Sequence, residues 1–273
     1  MTFFMKIFWI KLNKLKYKPF LGELLKLEKQ NIVFTPNPEI LLKTKTDSEF
    51  RWFLNNANYL TPDWIGLYIA FQILDNNFWT IINTLLLPYF FFNLFFRRSF
   101  LYEKYWDRIC GSDLTKDIVL KSEEKWINVT IIDLYNPTDL KKVESQKIFP
   151  QLITKKFPKL KFDYFIYNPE NKEKIIYEIS NSDSQILFST LWMKRQEKSI
   201  IEIMEVSKNI KLWLWIWSSF DYFIWFQKRA PKIFRSIWLE WLYRLITWPK
   251  KIDRLKRLYN AIFVFTYEIL KTK

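Results

Sequence analysis

Three glycines serve a chain of 273 residues, where ordinary usage of about 7% would supply roughly 19. Glycine takes positive φ freely and lets two backbones approach, so a chain this poor in it must turn and close by other means. Tryptophan, by contrast, occurs 14 times. The length suffices for one large α/β domain, or one domain with an appendage. Lys and Arg number 43 against 28 Asp and Glu, a net charge of +15, with no His and a single Cys, Cys110. These counts exclude a Ser-His-Asp triad, a His general base, a zinc site built on His or paired Cys, and an internal disulfide. Acid–base chemistry is left to carboxylates, Lys, Tyr or Cys110, and phosphate handling to Arg, Lys and backbone amides. A lone Cys suits a reducing compartment.

Strand-like and helix-like segments alternate along the chain. Strands are expected near residues 6–12, 31–35, 59–61, 128–134, 160–167, 185–190 and 210–217. Between them lie helical patterns at 36–57, 65–74, 138–157, 170–180 and 194–207. Such alternation predicts an α/β fold, a Rossmann-like and mostly parallel sheet covered by helices on both faces. The amino-terminal 15 residues are apolar but broken by Lys6, Lys11 and Lys14, so they do not read as a signal peptide.

Two segments stand outside the alternation. Residues 78–96 run for 19 positions without a charge and end at Arg97-Arg98. That length permits a membrane span, but Asn83, Thr84, Pro88 and Asn93 interrupt it. A single span would also place Asp63 and the later motifs on opposite sides of the membrane. The expectation is an interfacial or re-entrant insert, or a buried pair of helices. The tail, residues 228–273, carries twelve Lys and Arg against Glu240, Asp253 and Glu268, a net +9. Its apolar residues recur at helical spacing (Phe234, Ile237, Trp241, Leu242, Leu245, Ile246), a basic amphipathic pattern suited to an anionic membrane surface and to diphosphate groups. The same spacing also fits a charged face on a helix packed against the core.

Taken alone, the residues offer a carboxylate after proline at a strand end (Asp63), Thr35 and Asn37 at another, and an arginine-rich tail. Ligands of open α/β sheets sit outside the carboxyl ends of the strands, so these groups can share one crevice. Read this way, the chain binds a phosphorylated ligand near a membrane, although Asp63 equally fits an ordinary helix N-cap.

A series of short motifs then appears in order. They are Phe34-Thr35-Pro36-Asn37-Pro38-Glu39, Pro62-Asp63-Trp64-Ile65-Gly66, Arg108-Ile109-Cys110-Gly111-Ser112-Asp113-Leu114, Lys194-Arg195-Gln196-Glu197-Lys198, Phe220-Asp221-Tyr222-Phe223 with Lys228-Arg229-Ala230-Pro231, and Leu239-Glu240-Trp241-Leu242-Tyr243-Arg244-Leu245. Together they resemble the WecG/TagA/CpsF glycosyltransferases. The resemblance implies a GT-E-like core over residues 1–225, with an apolar insert at about 76–104, and a carboxyl-terminal helical membrane-docking appendage over 226–273. It implies inverting transfer of N-acetylmannosamine or a related sugar from a UDP-sugar to an undecaprenyl-diphosphate-linked acceptor in cell-wall or surface-polysaccharide synthesis. No metal or other cofactor is implied. Asp63 takes the role of general base, and Thr35 and Asn37 position sugar hydroxyls or the base. Asp113, Gln196, Glu197 and Asp221 line the donor pocket, Arg108 is a substrate-binding residue, and Arg229 and Arg244 neutralise diphosphate charge. The location implied is the cytoplasmic face of the cell membrane, with assembly as a homo-oligomer left open. The composition also supports a second class, a non-catalytic membrane-surface or polyanion-binding protein. Charge alone supports nucleic-acid binding, with no recognisable module, so no nucleic acid is expected.

The resemblance bears on the tryptophans too. The family places glycine where this chain has Trp9, Trp64, Trp126, Trp192, Trp215, Trp217, Trp225 and Trp238, whereas Trp241 falls where the family has Trp. The scarcity of one residue and the excess of the other share an explanation if UGA codons meaning glycine in the source are written here as tryptophan. Tryptophan at those positions would strain tight turns and partly fill the pocket. A further departure is Asp133-Leu134-Tyr135, where the family has a glycine-rich strand end.

Overall fold

A computed structural model of the chain describes residues 4–134, 140–190, 203–215, 220, 230–231, 233–234, 239–247 and 251–273. The first expected strand is in fact a hairpin: β1 (Phe4–Ile7) pairs antiparallel with β2 (Ile10–Asn13), Ile7 opposite Ile10. Its two-residue loop, Phe8-Trp9, has φ of 46° and 69°. A two-residue loop with both φ positive is the type I′ arrangement, which ordinarily takes Gly second. Two aromatic residues occupy it here, so the sequence carries none of the usual turn chemistry.

The next strands are β3 (Asn31–Phe34), β4 (Tyr59–Leu60), β5 (Val129–Leu134), β6 (Phe162–Tyr167), β7 (Ile186–Ser189) and β8 (Leu212–Trp215). They form one sheet in the order β4-β3-β8-β7-β5-β6, every pairing parallel. All four side chains of β3, β7 and β8 are buried, as expected of central parallel strands covered on both faces. The alternation of β8 shows the two layers. Trp213 and Trp215 enter one hydrophobic cluster, while Leu212 and Leu214 enter the other.

On the Leu212 face lie α1 (Tyr17–Leu24), α8 (Gly111–Lys125) and α9 (Leu140–Lys156), through Phe20, Ile118 and Phe149. The opposite face is covered by α2 (Pro38–Lys43), α3 (Ser48–Asn55), α4 (Gly66–Asp75) and α10 (Lys172–Ser180), through Ile40, Phe50, Ile69 and Ile175. The helical pattern at 36–57 is thus two helices. Asn37 caps α2 and Asp47 caps α3, each accepting a backbone N–H at 3.0 Å, with Pro38 preset for the first turn of α2.

The charge-free stretch is also divided, into α5 (Thr80–Leu85) and α6 (Leu87–Phe96), followed by α7 (Arg98–Lys104). No helix among the described residues is long and apolar enough to cross a membrane. The tail forms α11 (Glu240–Thr247), α12 (Lys251–Tyr259), a π-helical turn at Asn260–Val264 and α13 (Phe265–Leu270). The last of these returns to the body, and Phe265, Ile269 and Leu270 join the cluster that contains Phe34 and Phe71. An Arg257 fork grips Glu39 at the start of α2, Nε and Nη2 donating at 3.0–3.2 Å. This partly exposed pair contributes about 1 kcal/mol at most, so the apolar return of α13 holds the tail more firmly.

The tryptophans fall into distinct environments. Trp126 caps α8 in the left-handed region, φ 57° and ψ 36°, where helices usually place Gly. With Trp9 it makes two expected glycine positions whose backbone has the glycine conformation. Trp64 differs: its φ is not positive, and its indole instead lies over Gly66, where an added Cβ would come within 2.0 Å of the ring. Trp215 fits without a positive φ, edge-on to Phe34 at 5.3 Å. Trp213 is buried with its indole N–H lacking a partner among the described residues, an arrangement that costs about 1–3 kcal/mol. Trp192, Trp217, Trp225 and Trp238 lie outside the described residues.

Returning glycine to a left-handed position removes about 1–2 kcal/mol of backbone strain. Trp126→Gly, at a side chain 62% exposed, is expected to raise the urea midpoint by an amount worth about 1 kcal/mol with an unchanged m-value. A lower midpoint would contradict the assignment.

Candidate active site at the ends of β3 and β4

Strands β3 and β4 end side by side. Phe34 is opposite Leu60, and the Thr61 N–H donates to the Phe34 carbonyl at 2.9 Å. Thr35 and Pro62-Asp63 therefore leave the sheet together at its carboxyl edge, where parallel sheets bind ligands. A third segment joins them, as the Ile109 N–H donates to the Pro62 carbonyl at 3.2 Å. Gly111, the first residue of α8, lies so close to Thr35 that a Cβ would stand 2.9 Å from the threonine Oγ1. Glycine is needed here for contact rather than for φ. The 15-residue α8 thus begins beside Thr35, and Asp113 in its first turn complements the helix dipole.

The groups flanking Ile109 define the electrostatics. Burial opposes the charge on Arg108, but Cys110, Asp63 and Glu240 outweigh it and raise the guanidinium pKa above its ordinary value. Burial, with the charge of Asp63 next, pushes the Cys110 thiol up to about 12. Arg108 pulls the other way without reversing the shift. A thiol so protonated cannot supply a thiolate near neutral pH, so Cys110, left open by composition, is removed from the candidate acid–base groups.

Glu240 is the group that sequence reasoning missed. The sequence shows an acid of the basic tail and a member of the Leu239–Leu245 motif with no site role attached, yet it is buried at the start of α11. Its charge is felt by both Arg108 and Cys110. Its neighbour Trp241 packs against the core cluster. The available signal was its place at the head of the Leu239–Leu245 motif, on an otherwise basic segment. The tail therefore reaches the β3–β4 edge.

The remaining expected residues are distributed as follows. Asn37 caps α2 through its Oδ1, so only its amide N–H groups are left as donors toward a ligand. Thr35 and Asp113 are half-buried beside the Asp63–Arg108 group. Arg244 lies on α11. Gln196, Glu197, Asp221 and Arg229 lie outside the described residues. A second polar knot closes the end of β5. There buried Asp133 accepts from Gln146 Nε2 and Tyr164 Oη, both at 3.1 Å, pairs with Lys142 at 2.7 Å and is bonded by the Thr190 hydroxyl. The departure at Asp133 is thus occupied by internal partners. Among the described residues no three Cys, Asp or Glu side chains gather as metal ligands would.

The raised Cys110 pKa also fixes a sign for stability. The fold holds this proton more tightly than the unfolded chain, whose thiol titrates near 9.0. The contribution is complete below pH 9 and is lost as pH rises toward 12. Iodoacetamide is expected to leave native Cys110 unlabelled at pH 8 and to label it fully in denaturant; rapid native labelling would refute the buried, protonated thiol.

The motifs carrying this geometry recur in known proteins. The sequence model of the glycosyl transferase WecG/TagA/CpsF family matches residues 5–90 and 94–273. That match takes in the β3 and β4 ends, the start of α8 and the tail that delivers Glu240, and the chain accordingly belongs to the WecG/TagA/CpsF family of glycosyltransferases.

Proposed function

We propose that this glycosyltransferase moves N-acetylmannosamine or a related sugar from a UDP-sugar to an undecaprenyl-diphosphate-linked acceptor. Transfer proceeds with inversion, without a metal cofactor, at the cytoplasmic face of the membrane. The observation that carries the reading is the convergence of Thr35, Asp63, Arg108 and the Gly111 backbone at one carboxyl edge of a parallel sheet. In this reading Asp63 accepts the proton of the acceptor hydroxyl as that oxygen attacks the anomeric carbon. The bond to UDP breaks on the opposite face of the sugar, which inverts the anomeric centre. Thr35 and the amide of Asn37 orient the substrates.

Negative charge grows on the departing diphosphate and must be met by positive groups. In this reading Arg108 meets that charge together with Arg229 and Arg244 of the tail. Asp113, Gln196, Glu197 and Asp221 complete the donor side. The tail, residues 226–273, would hold the enzyme at the lipid surface where its acceptor resides. The rival reading, a non-catalytic membrane or polyanion binder, rests on the +15 charge and gives no role to the clustered Asp63.

Asp63→Asn tests the two. With a UDP-sugar donor and a prenyl-diphosphate-linked acceptor, kcat is expected to fall about 10²–10⁴-fold, the range for removing a general base. Binding to anionic vesicles should not change. An Asp63→Asn enzyme with undiminished turnover would remove the assigned base, and a wild-type chain that transfers no sugar to any such acceptor would favour the binding protein.

A further inference from the structure

The division of the charge-free segment into α5 and α6 leaves an unusual surface. Its two asparagines turn inward and are bonded there, while exposed Thr84 turns its hydroxyl to the backbone. Asn83 Nδ2 donates to the Phe78 carbonyl at 2.7 Å, Asn93 Nδ2 to Gln72 Oε1 at 2.8 Å and the Thr84 hydroxyl to the Thr80 carbonyl at 2.8 Å. Apart from Thr84, the most exposed side chains of the segment are apolar: Trp79 is 77% exposed, Ile81 74%, Leu85 75% and Phe96 75%. A second apolar stripe runs along the tail through Ile252, Leu255, Tyr259, Phe263 and Tyr267. The two adjoin where the Thr80 hydroxyl donates to the Leu270 carbonyl at 3.0 Å. Exposed cations edge the combined patch, among them Arg97, Lys251, Lys256 and Lys271.

Contiguous apolar surface of this kind marks an interaction site. A second copy of the chain would bring the same basic rim against its own, which repels. An anionic phospholipid bilayer satisfies both parts, accepting the apolar side chains below its headgroups and the cations among them. We infer that α5 and the exposed face of α6 enter the acyl boundary of an anionic membrane, while α12 and α13 lie on its surface as the second contact. This deepens the membrane-surface reading above, by naming the penetrating element and the lipid class. Neither helix spans, so the mode is one-sided insertion.

Vesicle flotation with the full-length protein tests this, using phosphatidylglycerol-rich and pure phosphatidylcholine vesicles. The wild type is expected to prefer the anionic vesicles and to retain a bound fraction at 1 M NaCl, where screening leaves chiefly apolar contact. The double variant Ile81→Asp/Leu85→Asp should lose that salt-resistant fraction at least tenfold, with an unchanged melting temperature. A nitroxide on Leu85→Cys, with Cys110 buried, should become oxygen-accessible and shielded from a water-soluble relaxer when vesicles are added. Wild-type failure to bind anionic vesicles, equal salt-resistant binding by the double variant, or a lipid-free dimer that the variant dissolves would each overturn the inference. Turnover of a short-chain, water-soluble acceptor without vesicles is a separate readout. It depends on Asp63 and should be unaffected by Ile81→Asp/Leu85→Asp, so failure of the enzymatic reading is distinguishable from failure of this one.

Discussion

Two backbone hydrogen bonds hold the functional end of this molecule together. One runs from the Thr61 N–H to the Phe34 carbonyl and closes the parallel pairing of β3 and β4. The other runs from the Ile109 N–H to the Pro62 carbonyl and fastens the entry of α8 beside them. Together they oblige three segments far apart in sequence to end at one place. The side chains there are those that chain direction delivers: Thr35 after β3, Asp63 after β4, and Arg108 and Cys110 before α8. The close seat of Gly111 against Thr35 follows from the same arrangement, since a helix beginning here has no room for a Cβ.

Charge then accumulates where the backbone permits it. Arg108 feels the carboxylates of Asp63 and Glu240, which hold its guanidinium charged against the cost of burial. The tail, basic as a whole, contributes an acid at this point, so it meets the body by complementarity rather than by bulk attraction. Arg257 on Glu39 and the apolar return of Phe265, Ile269 and Leu270 fix the same tail at two further places. The body and its arm thus share one core cluster, and the edge of the sheet is covered by residues more than a hundred positions downstream.

Much of the sheet was legible because buried parallel strands are continuous apolar runs. Residues 31–35, 128–134 and 185–190 overlie β3, β5 and β7 to within a residue or two. The hairpin at β1 and β2 was not legible, since Phe8-Trp9 shows no turn residue and only the positive φ values betray the bend. Nor could spacing show that Asn37 caps a helix, that Asp133 is absorbed by Gln146, Tyr164 and Lys142, or that Glu39 and Arg257 meet. Each depends on contacts that only the folded chain creates. Asp63 and Thr35 were legible as strand-end groups because a proline or a periodicity change marked those ends. Glu240 was hidden because its chemistry is opposite to that of the segment around it.

The pin between Arg257 and Glu39 orders events in time as well as in space. Every strand of the sheet among the described residues is encoded before residue 216, whereas the arm that seats Glu240 and grips Glu39 is encoded after it. A chain emerging from the ribosome therefore makes these strands before the arm, and the β3–β4 edge lacks Glu240 until that arm has followed.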